Sequence, residues 1–252
     1  MSPSCYAAVV AIETLAPMPD GSTPVGGPIV ASWLGRMDYR AALELQKSLA
    51  TQRAEGRIGD RLLLLEHTRV LTLGRTADPA HIRADPAELA ARGIDVIRVE
   101  RGGEVTYHGP GQLVAYPIIA LSSRGLLVRP LVRALEAALV ATCAAHDVIA
   151  ARRDGHPGCW CDPEDADPRK IGALGLRIER GVSYHGIALN VTVDLADFDL
   201  IDPCGMPGVT STSIAAERGE TTATPTTGSV ERAAAIFAAA FAAELGAPLT
   251  GI

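Results

Sequence analysis

Five stretches of the chain carry the signals of helices: apolar side chains that recur every three or four residues, or the residue types that start a short helix. They cover residues 37–54, 85–92, 130–146, 211–217 and 229–245. Six further stretches are continuous apolar runs, which predict buried strands. These cover residues 62–65, 70–73, 96–99, 113–121, 170–179 and 182–193, and the last two are joined by a predicted hairpin turn at Arg180 and Gly181.

The order of these elements predicts the fold class and the domain organisation. The strands cluster and the helices do not alternate regularly with them, which favours an α+β fold with a mixed or antiparallel sheet flanked by helices. Residues 155–168 are rich in aspartate and proline and predict a polar surface loop. Residues 1–28 show no sustained period and predict a flexible N-terminal leader, so residues 29–252 are expected to form a single domain.

Composition excludes several classes of protein. The chain has 252 residues, 48% of them hydrophobic, and a formal net charge of −6. No apolar run approaches the roughly 20 residues that span a bilayer, and the N-terminus lacks the basic start of a signal peptide, so we expect no membrane partner. A net negative chain is also a poor general ligand for nucleic acid, although a local basic face is still possible.

Cysteine usage indicates a reducing compartment. An odd number of cysteines at uneven spacing does not form a disulfide framework, which predicts a cytoplasmic protein. The five are Cys5, Cys143, Cys159, Cys161 and Cys204. Cys159 and Cys161 lie near His156, but one intervening residue is too few for the usual zinc site, so we expect neither a metal nor another cofactor.

The stretch from Arg101 to Gln112 has the most unusual composition of the chain. It holds four glycines and a proline, which allow a tight loop whose backbone can approach a ligand closely. Its spacing matches neither a P-loop nor a dinucleotide-binding fingerprint. A glycine-rich hairpin with a surface histidine explains the same composition. His67 and His185, which flank strands, are interpreted as structural.

Cys204 and Lys170 are candidates for chemistry. Cys204 lies in a turn made rigid by two prolines and two glycines. A thiol of pKa ~8.5 is mostly protonated at pH 7, so a reactive thiolate requires a nearby cation. Apart from Lys47, Lys170 is the only lysine in a chain that otherwise uses arginine, which favours a role for a titratable amine. An ordinary exposed lysine at the end of a strand is the alternative.

Four segments together resemble the lipoyl(octanoyl) transferase family. They read LLLLEHTRVLTLGR, RGGEVTYHGPGQLVAYPI, RKIGALGLRIERGVSYHGIALNV and IDPCGMPGVTSTS, and the resemblance covers about residues 30–245. It implies the fold of the catalytic domains of lipoate and biotin protein ligases. It also implies transfer of an octanoyl or lipoyl group from acyl carrier protein to a lysine of a lipoyl domain. The acceptors would be the E2 subunits of 2-oxoacid dehydrogenases and the glycine-cleavage H protein.

The resemblance also implies residue roles. Cys204 would be the nucleophile that forms a thioester acyl-enzyme, and Lys170 would lower the pKa of its thiol. The substrate-binding residues would be Arg101, Gly102, Gly103, Glu104, Val105, Thr106, Tyr107, His108, Ala173, Leu174, Gly175, Gly186, Ile187 and Ala188. Because the donor is an acidic protein, a local basic face is expected, for which the candidates are Arg129, Arg133, Arg152 and Arg153.

Two other functions fit part of the sequence. An ATP-dependent lipoate or biotin ligase would share the fold but would need no nucleophilic cysteine. A non-enzymatic carrier-protein-binding module would need neither Cys204 nor Lys170 nor the glycine-rich stretch. The joint presence of these three features favours the transferase.

Overall fold

Two sheets organise the part of the chain that the computed structural model describes, residues 26–202, 209–220 and 229–252. In chain order the strands are β1 (Ile29–Met37), β2 (Arg61–His67), β3 (Val70–Leu73), β4 (Asp95–Arg98), β5 (Val105–His108), β6 (Gln112–Ile118), β7 (Ala151–Arg153), β8 (His156–Cys161), β9 (Arg169–Glu179), β10 (Val182–Asn190), β11 (Thr210–Ser211) and β12 (Leu249–Gly251). The helices are α1 (Tyr39–Ala54), α2 (Pro86–Ala91), α3 (Val128–Ala144), α4 (Ile214–Glu217) and α5 (Ser229–Glu244).

The larger sheet is mixed, and the smaller one is a separate layer. The larger sheet has the strand order β12–β1–β2–β6–β10–β9–β8–β7, with β11 paired to β9. Strand β1 is parallel to both of its neighbours, β2 and β12. Each neighbouring pair in the remaining order, β2–β6–β10–β9–β8–β7, is antiparallel. The smaller sheet has the order β4–β3–β5. The predicted α+β fold with a mixed sheet flanked by helices is confirmed.

Both faces of the larger sheet are buried, which explains the continuous apolar runs in its central strands. In β2, Leu62 and Leu64 face the core layer formed with α3 and α5, whereas Leu63 and Leu65 face the layer formed with α1. With no polar face to mark the pleat, such a strand shows no alternation in sequence.

The segment from 155 to 168 corrects the sequence-based prediction. It was expected to be a surface loop, but its first half forms β8, which pairs antiparallel with β9. Cys159, Trp160 and Cys161 are buried there. Cysteine behaves as a small hydrophobic residue in a core, so burial against α3 outweighs the unfavourable proline and glycine of this strand.

Other boundaries shift by smaller amounts. Met37, expected at the start of a helix, ends β1, and α1 begins after Asp38, whose side chain accepts a hydrogen bond from the Ala41 N–H. Ser211, expected in a helix, lies in β11, and α4 begins after Ser213. Strands β1 and β12 were not predicted, and the proposed leader stays a prediction because residues 1–25 lie outside the described residues. Within the described ranges, no helix combines the length and the apolarity needed to cross a bilayer.

Candidate active site

The glycine-rich stretch connects the two sheets. Its first part is β5 of the smaller sheet, and the chain then crosses at Gly109 to Gly111 into β6 of the larger sheet. Gly111 has φ +85°, and a Cβ there would lie 2.6 Å from the Val193 nitrogen, so glycine is required. Because β5 and β6 belong to different sheets, the alternative of a simple hairpin is wrong, and His108 is buried rather than on the surface.

A pocket lies between this stretch and the strands β9 and β10. It contains about 470 Å³ of space, part of it open to solvent. All the substrate-binding residues expected from the sequence line it except Gly102 and Tyr107. The two strands come close to the stretch because glycine faces it: a Cβ at Gly175 would lie 2.8 Å from the Gly102 carbonyl oxygen. The structure therefore brings three separate segments of the sequence around one cavity.

Gly102 and Tyr107 have packing roles instead. The Gly102 N–H donates to the Leu176 carbonyl oxygen at 3.0 Å and ties the stretch to β9. The Tyr107 hydroxyl donates to Asp197 at 2.6 Å, and its ring packs against Phe198 in the core of the smaller sheet. These contacts hold the glycine-rich stretch in place, but they lie outside the cavity wall.

The cavity has two walls of different chemistry. The apolar wall is built mainly from β9 and β10 and consists of Val105, Ala173, Leu174, Ile187 and Ala188. The polar side chains of the lining are Tyr39, Arg101, Glu104, Thr106, His108, Tyr116 and His185. Tyr39, Tyr116 and His185 were missed as site residues. One signal was available: the tripeptide Tyr-His-Gly occurs twice, at 107–109 and 184–186.

A chain of hydrogen bonds fixes the tautomer of His108. Gln112 donates through Nε2 to the Tyr107 carbonyl oxygen and to Asn190 Oδ1, so its Oε1 must face His108 Nδ1, at 2.8 Å. His108 Nδ1 therefore carries the proton, and Nε2 carries the lone pair. Asn190 in turn donates to the Thr212 carbonyl oxygen at 2.8 Å.

The histidines of this region are uncharged, and Arg101 supplies a fixed positive charge. Burial lowers the pKa of His67 to about 4 and that of His185 to about 3, and it holds the pKa of His108 well below its usual range. The Arg101 guanidinium is 7% exposed and donates to the Thr72 carbonyl oxygen at 2.7 Å. The cavity lining thus combines one anchored cation, Arg101, and one acidic side chain, Glu104, with neutral hydrogen-bonding groups.

His185 is held in an unusual state. It has φ 54° within β10, a conformation rare for a residue other than glycine, and its backbone N–H donates to Gln46 Oε1 at 2.8 Å. Both ring nitrogens are buried without a hydrogen-bond partner among the described residues. Such a group lowers stability and is retained mainly where function requires it. The interpretation of His185 as purely structural does not account for these features.

Lys170 is buried on β9, the strand that also contributes to the pocket wall. Its residue is 6% exposed, and Nζ lies 4.9 Å from the centre of the Trp160 ring on the neighbouring strand β8, a cation–π distance. The alternative of an exposed lysine at the end of a strand is therefore wrong. Along β9, Ala173 to Gly175 follow three to five positions later, about 10–17 Å away at 3.3 Å per residue.

Cys204 lies outside the described residues, but the chain after it returns to Lys170. Strand β11 runs parallel to β9 with Ser211 opposite Lys170, and the Thr212 N–H donates to the Lys170 carbonyl oxygen at 2.9 Å. In the sequence, Ser211 follows Cys204 by seven positions.

Cys143, Cys159 and Cys161 are free thiols in the core. Burial raises the pKa of Cys161 to about 12, and the neighbouring Cys143 and burial hold that of Cys159 far above the usual range. Cys159 and Cys161 are therefore poor nucleophiles at neutral pH. In the described ranges, no three potential metal-ligating side chains are grouped closely enough to hold an ion.

Comparison with known proteins identifies the family. The model of the lipoyl protein ligase A/B catalytic domain matches residues 38–241. The chain belongs to this family. Among similar relatives, the octanoyltransferase of Chloroflexus aggregans is 50% identical over 188 residues, which are 74% of this chain and 84% of that protein. The octanoyltransferase of Burkholderia pseudomallei is 38% identical over 213 residues, 84% of this chain and 82% of that protein.

Solved structures of the family share the fold. A bipartite lipoate protein ligase from Thermoplasma acidophilum superposes with a TM-score of 0.61 at 16% identity, covering 90% of this chain and 87% of that one. A lipoate-protein ligase A bound with ATP gives a TM-score of 0.59 at 16% identity, covering 90% and 89%. The resemblance read from the sequence is confirmed, as is the assignment of this family member to the acyltransferases.

Proposed function

We propose that this protein transfers octanoyl groups through a thioester on Cys204. The donor is octanoyl acyl carrier protein, and the acceptor is a lysine of a lipoyl domain, in E2 subunits or in the glycine-cleavage H protein. A lipoyl group is the alternative cargo, and the reaction belongs to the cytoplasm. The observation that carries the proposal is a buried lysine at one end of β9, followed on the same strand by the apolar wall of a pocket.

The first step exchanges one thioester for another. With Lys170 as ammonium, the Cys204 thiol is favoured as thiolate, which attacks the carbonyl carbon of the donor thioester. The bond to the carrier sulfur breaks, and that sulfur leaves with its electron pair and takes a proton from Lys170. The products are acyl-Cys204, the free carrier thiol and a neutral Lys170.

The second step forms the amide and restores the enzyme. The acceptor lysine attacks the acyl-Cys204 carbonyl as a neutral amine, and the carbon–sulfur bond breaks to regenerate the thiolate. Neutral Lys170 accepts the proton that the new amide nitrogen loses, so it acts as the general base. No ATP is consumed, because the acyl group arrives already activated as a thioester.

The apolar wall supplies the affinity for the chain. An octanoyl group brings seven methylene or methyl groups, and burial at ~0.8 kcal/mol each gives an upper bound of about 6 kcal/mol. The polar wall on the other side offers donors on Arg101 and an acceptor, the lone pair of His108 Nε2, to polar parts of the donor substrate.

Intact-mass measurement tests the covalent step. Wild-type protein incubated with octanoyl acyl carrier protein should gain one octanoyl group that hydroxylamine removes, and Cys204→Ser should gain none. Cys161→Ser is the matched control and should still be acylated, because that thiol is buried away from any nucleophilic role. A hydroxylamine-labile octanoyl adduct that persists in Cys204→Ser would contradict the proposal.

A further inference from the structure

A wide groove lies between α3 and the hairpin of β7 and β8. It contains about 1020 Å³ of space, and its lining holds four arginines, Arg129, Arg133, Arg152 and Arg153, against two acidic residues, Glu136 and Asp154. In the described ranges, Arg129, Arg133 and Arg152 form no ion pair with an acidic side chain at 4.0 Å or less. The chain is acidic overall, so this concentration of positive charge is local.

Exposed apolar side chains lie in the segments that lead into the two walls of the groove. Leu127 and Val128, at the start of α3, are 73% and 46% exposed, and Val128 lines the groove itself. Ile149, two residues before β7, is 91% exposed. Large exposed apolar side chains beside unpaired arginines are typical of a surface that binds another protein.

One aromatic ring links the wall of the groove to Lys170. The Arg153 guanidinium carbon lies 5.2 Å from the centre of the Trp160 ring, and Lys170 Nζ lies 4.9 Å from the same ring. The Gly158 N–H donates to Glu136 of α3 at 3.1 Å, which ties the helix to the strand beside Lys170. A partner seated in the groove is therefore one aromatic ring away from Lys170.

We propose that this groove is the docking site for the acyl carrier protein that donates the octanoyl group, an inference that rests on the function proposed above. Carrier proteins are acidic, which complements the four arginines. Their prosthetic arm is attached through a phosphodiester, and arginine binds such oxygens through two parallel hydrogen bonds. The loop at 162–168 carries Asp162, Glu164, Asp165 and Asp167, so the basic face is limited to the groove side of the hairpin.

A charge reversal with two donors tests this site. Arg129→Glu combined with Arg133→Glu should raise KM for octanoyl acyl carrier protein by about tenfold at low salt and leave kcat nearly unchanged. The effect should shrink as ionic strength rises, because exposed charges are screened. With the octanoyl thioester of N-acetylcysteamine, a donor without a carrier protein, the double variant should match the wild type, which also shows that it is folded.

Arg180→Glu is the control for net charge, although it reverses one arginine where the double variant reverses two. Arg180 is an exposed arginine at the far end of β9, with only a 4.0 Å ion pair to Glu55. Its reversal changes the net charge in the same direction but should not raise KM for the carrier protein. If Arg180→Glu raised KM for the carrier protein as much as the double variant does, net charge alone would explain the effect, and the proposal would be overturned.

Two further outcomes would also overturn the docking site. One is an unchanged KM for the carrier protein in the double variant. The other is a rise in KM for the lipoyl domain only, which would make the groove an acceptor site. A wild-type protein that is acylated by neither donor would instead refute the proposed function, so the two failures are distinguishable.

Discussion

At the scale of single residues, the sequence reveals site residues that lie in short contiguous motifs and hides those that do not. Arg101 to His108 stands out because glycine and polar residues are concentrated there, whereas Ala173 to Gly175 is indicated only by the resemblance to the family. Tyr39 lies at the start of a helix far away in sequence, and Tyr116 is one position in an apolar strand. Nothing in their neighbours indicates that folding brings both rings into the wall of the same cavity.

Replacing Lys170 with arginine distinguishes the effect of its positive charge from its part in proton transfer. In Lys170→Arg the positive charge is kept, but arginine cannot accept the proton of the incoming amine near neutral pH. We expect turnover to fall by about 100-fold or more, while Cys204 is still acylated. Single-turnover measurement of each half-reaction checks this expectation. Lys47→Arg, at an exposed lysine paired with Glu100, is the control. Near-wild-type turnover of Lys170→Arg would leave Lys170 an electrostatic role only.

At the scale of elements, β8 shows where local pattern fails. Its sequence HPGCWC has no alternation and contains proline and glycine, so by propensity it is a loop. The strand forms because Cys159 and Cys161 fill space against α3 and β9, which is a property of the neighbours. In contrast, the hairpin of β9 and β10 was predictable, since positive φ at Arg180 and Gly181 suits a two-residue turn.

Two glycines of the β7–β8 hairpin form a matched pair for mutation. Gly155 has φ +75° and open space around it, whereas Gly158 has φ +129° and a Cβ there would overlap the Gly172 carbonyl oxygen. Gly155→Ala should cost about 1 kcal/mol of unfolding free energy from backbone strain alone. Gly158→Ala should cost at least about 2 kcal/mol more and lower kcat, because β8 must move away from Lys170. Urea unfolding measures the stability of the two variants, and steady-state kinetics measures their kcat. Equal losses of stability in the two variants would contradict this prediction and show that β8 tolerates displacement.

At the scale of the whole molecule, the fold class followed from the sequence but the strand order did not. A strand buried on both faces, such as β2, carries no polar face from which a register or a neighbour could be read. The parallel pairing of β1 with β2 and the split into two sheets are therefore tertiary outcomes. The pocket lies between residues 101–108, which end in β5 of the smaller sheet, and strands β9 and β10 of the larger sheet, so its position depends on this same split.

Buried neutral histidines make the stability of the whole fold depend on pH. Burial holds the folded pKa of His67 at about 4 and of His185 at about 3, below the unfolded value near 6.5. The unfolded chain thus binds protons in this range that the folded chain does not. The free energy of unfolding is therefore highest, as far as these histidines determine it, above about pH 6.5. It falls as the pH decreases towards 4, by up to about 1.4 kcal/mol per pH unit for each histidine.

Urea unfolding between pH 7 and pH 5 measures how steeply the free energy of unfolding depends on pH. Most carboxylates titrate below this range, so the histidines dominate the slope. His67→Gln removes one of the buried rings and should flatten the slope by one proton. A stability that stays constant from pH 7 to pH 5 would mean that these rings are not held neutral.

The fixed tautomer of His108 also has a spectroscopic consequence. A ring that keeps its proton on Nδ1 and does not titrate gives nitrogen resonances that stay constant across the pH range of the folded protein. Any change in the Nε2 resonance then reports a new hydrogen bond at the lone pair, free of the titration background that usually obscures histidine signals. The enzyme thus contains its own reporter of occupancy, and a titration followed at this one nitrogen would show when a donor enters the cavity.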